Sequence, residues 1–105
     1  MSRPDARLIL SPQAENDFAD ILQYTLETWG DAQMLAYRTV LHQALLSIRD
    51  DPKIGPLRME ISGEHRVIPA GQHIIIYRLV DTAVHVSRIL HGRMDLRRHT
   101  LSEEE

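Results

Sequence analysis

The stretch Arg66-Val-Ile-Pro-Ala-Gly-Gln-His-Ile-Ile-Ile-Tyr-Arg-Leu-Val-Asp-Thr-Ala-Val-His-Val-Ser-Arg-Ile-Leu90 decides the fold. Within it, Arg66 to Ala70, Gln72 to Val80 and Val84 to Leu90 are rich in β-branched residues and are separated by Gly71 and by Asp81-Thr82. Short runs of this composition, broken by turn residues, read as consecutive antiparallel strands, a three-strand meander.

Upstream, residues 51 to 64 hold two Pro and two Gly among mixed charges and read as an irregular loop. Before the loop the period changes from two to 3.6. Ala14, Phe18, Ile21, Leu22, Thr25 and Trp29 keep to one face of a first helix, opened by Ser11-Pro12 and closed by Gly30. Met34, Tyr37, Leu41, Ala44, Leu45 and Ile48 form the face of a second, with Asp31 as its expected N-cap and Asp50-Asp51-Pro52 as its stop. Only Gly30-Asp31 would then separate the helices, so they fold back as an antiparallel hairpin. The short run Arg7-Leu-Ile-Leu10 is a strand that must join the meander, since an isolated strand is not stable. The expected architecture is α+β: an N-terminal strand, then a helical hairpin packed on a small, mainly antiparallel sheet that ends in the meander.

The whole chain, residues 1–105 and 12.1 kDa, reads as one domain, with residues 1–6 and 100–105 as flexible ends. With no Cys, a disulfide framework, a thiolate zinc site and a Cys nucleophile are all excluded. No apolar leader and no run approaching a membrane span is present, so a cytoplasmic location without membrane contact is expected. His residues lack the spacing of a metal site, Ser11 and Ser87 lack a nucleophile-elbow setting, and no Gly-rich phosphate loop occurs. A metal site, a hydrolase triad and a nucleotide-dependent enzyme are therefore not expected, nor is a cofactor, while His91 has a structural, an interaction or a general acid/base role.

The formal charge of −3 conceals a division along the chain. Residues 1 to 64 hold 10 acids and 6 bases, residues 65 to 102 hold 2 acids and 6 bases, and Glu103-Glu104-Glu105 follow. Five of the six His lie in the second segment, and all bases but Lys53 are Arg, whose planar forks suit carboxylate or phosphate. Arg66, Arg78, Arg88 and Arg93 lie on or just after strands, where they either converge on an anion or pair ordinarily with acidic helices. By simple alternation Arg88 shares a face with Val84, Val86 and Leu90, and a partly buried guanidinium needs a partner. The densest candidate stretch runs from Arg88 to His99 and adds His91, Asp95, Arg97 and Arg98. On the helices, the ordinary role of Phe18, Leu22, Trp29, Tyr37 and Leu41 is core. A hairpin on a small sheet also leaves a groove at the sheet edge, which these residues are candidates to line for an amphipathic partner helix.

Several segments together resemble the ParE branch of the RelE/ParE toxin superfamily. They are Leu10-Ser-Pro-Gln-Ala-Glu-Asn-Asp17, Ile21-Leu-Gln-Tyr24, Thr28-Trp-Gly30, Tyr37, His73-Ile-Ile-Ile-Tyr-Arg78 and Arg88-Ile-Leu-His-Gly-Arg-Met-Asp95. Their order spans residues 8 to 99. The resemblance implies a type II toxin that inhibits DNA gyrase without catalysing a reaction, neutralised by a ParD-like antitoxin. Under it, Arg66, Arg78, Arg88, His91, Arg93, Asp95, Arg97 and Arg98 are the expected target contacts, and Phe18, Leu22, Trp29, Tyr37 and Leu41 the expected antitoxin groove. No sequence-specific nucleic-acid contact is expected. The alternative is a RelE-like ribosome-dependent mRNA endoribonuclease, in which Arg66, Arg88 and His91 imitate part of a site with Glu60 or Glu64 as base. A single Lys, an acidic overall charge and the absence of Tyr after Tyr77 weigh against it.

Overall fold

The computed structural model describes residues 7–58 and 63–93. The elements are β1 (Arg7–Leu10), α1 (Pro12–Trp29), α2 (Asp31–Asp50), β2 (Arg66–Ala70), β3 (His73–Val80) and β4 (Ala83–His91). The expectations for residues 1–6 and 100–105, and for Glu60, Asp95, Arg97 and Arg98, fall outside the described residues.

Local chemistry sets the helix boundaries. Ser11 is extended, and its Oγ accepts the Ala14 N–H at 2.9 Å while Pro12 occupies the first helical position. Between the helices stands one residue, Gly30, rather than the expected pair. Asp31 already lies inside α2, and the N-cap is Gly30, which provides no side-chain hydrogen bond. Gly30 has φ 94°, a conformation open to glycine without strain. Its N–H donates to Leu26 O at 2.9 Å and its carbonyl accepts from Met34 N–H at 3.0 Å, so one residue closes α1 and opens α2.

The sheet order is β1-β4-β3-β2. β2, β3 and β4 form the expected antiparallel meander, and β1 is added parallel to β4, from Arg7 opposite Ala83 to Leu10 opposite Val86. One irregularity changes the facing of residues in β4. Ile76 pairs with Arg88 and Tyr77 with Val86, which leaves Ser87 as the extra residue of a bulge. Strict alternation therefore fails at this point, and the expected face of Arg88, Val84, Val86 and Leu90 is corrected. Val84, Val86 and Ile89 pack with the helices, Leu90 lies in a separate cluster with Val67 and Ile76, and Arg88 stands opposite Ile76.

The main core joins Leu41, Leu45 and Ile48 of α2 and Ala14 of α1 to Ile68, Ile75, Tyr77, Val84, Val86 and Ile89 of the sheet. Leu41 is fully buried there, so it belongs to the core and not to a groove. Tyr77 is also fully buried, and its hydroxyl donates to Pro52 O at 2.8 Å and accepts the Gly55 N–H at 2.9 Å. This one side chain pins the loop that follows α2 onto the sheet. Burial pushes its phenol pKa above the usual 10.0, with the Gly55 hydrogen bond opposing. Arg66 reinforces the attachment by donating to Gly55 O at 2.7 Å.

Tyr77→Phe leaves the Gly55 N–H and the Pro52 carbonyl without their partner, and is expected to cost about 1–3 kcal/mol. Urea unfolding of the two proteins measures the difference, and hydrogen exchange should show faster exchange at Gly55 in the variant.

Candidate functional site

The site is built where β1 runs out. β1 ends at Leu10, opposite Val86, and from Ser87 onward the outer edge of β4 has no strand beside it among the described residues. The start of α1 takes over that edge. Ser11 N–H donates to Val86 O at 3.0 Å, and Ser11 Oγ, already the helix cap, donates to Ser87 O at 2.8 Å. In the second turn of the helix, Asp17 accepts the Ile89 N–H at 2.9 Å and a guanidinium fork from Arg88, with Nε at 2.7 Å and Nη2 at 3.0 Å. Arg88 is thus partly buried, as the sequence suggests, and its partner is Asp17. Asp17 was visible in the sequence only as the last residue of the motif that opens α1.

Beyond this fastening the hairpin and the sheet enclose a cavity of about 700 Å³. Asp20, Ile21, Tyr24, Thr25 and Trp29 of α1 line one wall, Gln33 and Tyr37 of α2 another, and Gln72, His73 and His91 the sheet side. Three rings stack edge to face on that side: Tyr37 with His73 at 5.5 Å and His73 with His91 at 5.4 Å between centroids. The Tyr37 hydroxyl accepts the Gln72 N–H at 2.9 Å and lies 2.6 Å from His73 Nδ1 and 3.2 Å from Ala70 O. Its one proton serves one of the last two groups. A neutral His73 with Nδ1 unprotonated takes it at the short distance, and protonation of that nitrogen turns it toward Ala70. Gly71, at φ 63°, permits this contact, because a Cβ there would lie 2.6 Å from the Tyr37 ring and hydroxyl.

Burial holds the His73 pKa below the ordinary 6.5; His91 adds to the depression and Asp17 opposes it. The sheet side of the cavity is accordingly uncharged at neutral pH at His73, and Asp20 faces the cavity from the helix side.

The expected site residues separate into groups. Of the groove candidates, Trp29 and Tyr37 line the cavity, whereas Phe18 and Leu22 pack against the core and Leu41 lies within it. Trp29 is 69 % exposed, so the regular apolar stripe of α1 does not continue into the core at its last turn. Of the target candidates, His91 joins the cavity, and its Nδ1 accepts the Arg93 N–H at 3.2 Å. Arg66 bonds to the loop carbonyl of Gly55, and Arg88 is forked on Asp17. They lie on strands separated by β3, about 10 Å apart by strand spacing, and do not converge on one anion. Arg78 and Arg93 are exposed. The cavity residues that the sequence did not name as site candidates, Asp20, Tyr24, Gln33, Gln72 and His73, come from α1, α2, the β2–β3 turn and β3 and carry no shared spacing.

The fold is thus a helical hairpin fastened across one face of a four-strand mixed sheet. A chain of the chromosomal ParDE TA system from P. aeruginosa has this fold, with a TM-score of 0.71, 16 % identity, and coverage of 82 % of this chain and 95 % of that one. The ParE toxin family of type II toxin-antitoxin systems, parDE, matches residues 8–96, and the chain belongs to that family. Toxin ParE1 of Mycobacterium tuberculosis is 34 % identical over 95 residues, covering 90 % of this chain and 97 % of the relative. Toxin ParE1 of Caulobacter vibrioides is 31 % identical over 90 residues, covering 86 % and 93 % respectively. The chain is therefore a ParE-type toxin of a toxin-antitoxin system.

Two outcomes follow from the geometry. Asp17→Ala strips Arg88 and the Ile89 N–H of their shared acceptor and is expected to destabilise the fold by about 2–4 kcal/mol, measured by chemical denaturation. Because the His73 pKa is depressed in the folded state, its contribution to stability is complete above about pH 6.5 and is lost as pH falls through the folded value. NMR titration should find His73 half-protonated below 6.5, and His73→Gln should flatten the loss of stability between neutral pH and pH 5.

Proposed function

We propose that this toxin acts on DNA gyrase, holding it in complex with cleaved DNA, and that a ParD-like antitoxin neutralises it by laying a helix into the groove over the cavity. The observation that carries the reading is the family match across residues 8–96, which spans both helices and all four strands. The site's chemistry supports a binding role over a catalytic one. Cleavage of RNA through its 2'-hydroxyl requires a base, an acid and cations gathered over one phosphate. Arg66 and Arg88, the cations nearest to such a role, are held by Gly55 O and Asp17 on separate strands. Arg78 and Arg93 remain exposed for a target surface, and the stretch toward Arg97 and Arg98 continues it in sequence. The toxin acts in the cytoplasm, where gyrase is found.

Purified toxin added to gyrase and plasmid DNA is expected to raise the yield of linearised DNA trapped by detergent and protease. Arg78→Glu with Arg93→Glu should reduce that yield without altering stability. Unchanged cleavage at saturating toxin overturns the gyrase reading. Cutting of mRNA on translating ribosomes, abolished by His91→Ala, would establish the endoribonuclease instead.

A further inference from the structure

We infer that the cavity receives a basic side chain, arginine or lysine, carried by the antitoxin's docking helix. This rests on the antitoxin reading above and adds the chemistry by which the partner is recognised.

Charge is the first observation. α1 carries four acids, Glu15, Asp17, Asp20 and Glu27, and no base. Asp17 is occupied by Arg88 and the Ile89 N–H. Among the described residues, Asp20 lines the cavity without an ion-pair or hydrogen-bond partner, and no Arg or Lys lines the cavity with it. An acidic or phosphate-bearing occupant would therefore meet an unopposed carboxylate. A wholly apolar occupant would strip water from Asp20 and offer nothing in return. A guanidinium or ammonium group supplies the missing charge.

The wall composition points the same way. Tyr24 and Trp29 are 65 % and 69 % exposed, and both border the cavity, four and nine residues along α1 from Asp20. Exposed aromatic faces beside a carboxylate suit a cation on an aliphatic stem: the stem packs on the rings and the charge lies over their electron-rich faces. His73 on the sheet side does not compete, since burial favours its neutral form. Gln33 and Gln72, also at the cavity, provide carbonyl acceptors for the remaining N–H groups of the cation.

The test uses the intact toxin and the antitoxin encoded beside it. Trp29 is the chain's single Trp, so the toxin's own Trp fluorescence reports on this cavity, and any Trp of the antitoxin is replaced by Phe. Antitoxin binding is expected to shift Trp29 emission. Calorimetric titration should show Asp20→Asn weakening binding about tenfold or more, and Asp20→Glu retaining most of the affinity. Replacing the antitoxin's basic residues one at a time by Met should identify one whose loss matches that of Asp20→Asn and adds nothing to it in the double variant. Asp20 is exposed, and circular dichroism checks that its variants keep the fold. Tight wild-type binding with Asp20→Asn and Trp29→Ala at unchanged affinity, or with no change in Trp29 emission, overturns the inference and leaves the antitoxin reading standing. If the wild-type toxin does not bind the antitoxin at all, the antitoxin reading itself falls, and the inference with it.

Discussion

The carboxylate of Asp17, shared between the Arg88 guanidinium and the Ile89 N–H, is the interaction on which the rest of the structure depends. Among the described residues β1 covers only the first part of β4, and an uncovered strand edge presents backbone donors and acceptors that must find partners. α1 satisfies them through side chains: Ser11 bonds the Ser87 carbonyl and Asp17 the Ile89 N–H. With two anchor points less than two turns apart, the helix axis is fixed against the sheet. That fixed axis sets where Asp20, Tyr24 and Trp29 stand farther along, and so the position of the cavity wall. The bulge at Ser87 is part of the same arrangement, because it brings the Arg88 side chain to the edge that Asp17 covers.

Two tyrosines do comparable work at other places. Tyr77 is buried beneath the loop after α2, and its hydroxyl replaces water for Gly55 and Pro52. Tyr37 extends from α2 to the turn between β2 and β3, where Gln72, Ala70 and His73 surround its hydroxyl. In each case an aromatic body fills apolar space while one polar atom satisfies backbone groups of an irregular segment. The first fixes a loop away from the cavity, and the second joins hairpin to sheet at the cavity's edge.

The division of charge along the chain acquires a spatial meaning in the fold. The acidic excess of the first half is concentrated on α1, and part of it is neutralised by a basic residue of the second half, through Asp17 and Arg88. Arg66 spends its charge on backbone carbonyls. Among the charges left exposed are a carboxylate at the cavity and Arg78 and Arg93 on the sheet and its end. Two partners of different charge can therefore be addressed by different parts of one small surface.

Sequence alone determined the elements and their approximate limits. Ser11-Pro12, Gly30 and the change of period at Arg66 are local signals, each acting within one turn or one residue pair, so they are readable without tertiary structure. The same locality explains the small error at Asp31, since capping by Gly30 leaves no side-chain signature. Trp29 and Tyr37 of the cavity were legible because helical spacing places them, although the exposure of Trp29 was not. Only the tertiary structure decided that β1 runs parallel to β4, that Ser87 bulges, and that Arg88 meets a residue 71 positions away in the chain. A bulge shifts the facing of later residues without changing composition, and an ion pair between distant segments has no spacing to detect. The site lies where those two non-local effects meet, and for that physical reason the fold was legible in the sequence while most of the cavity was not.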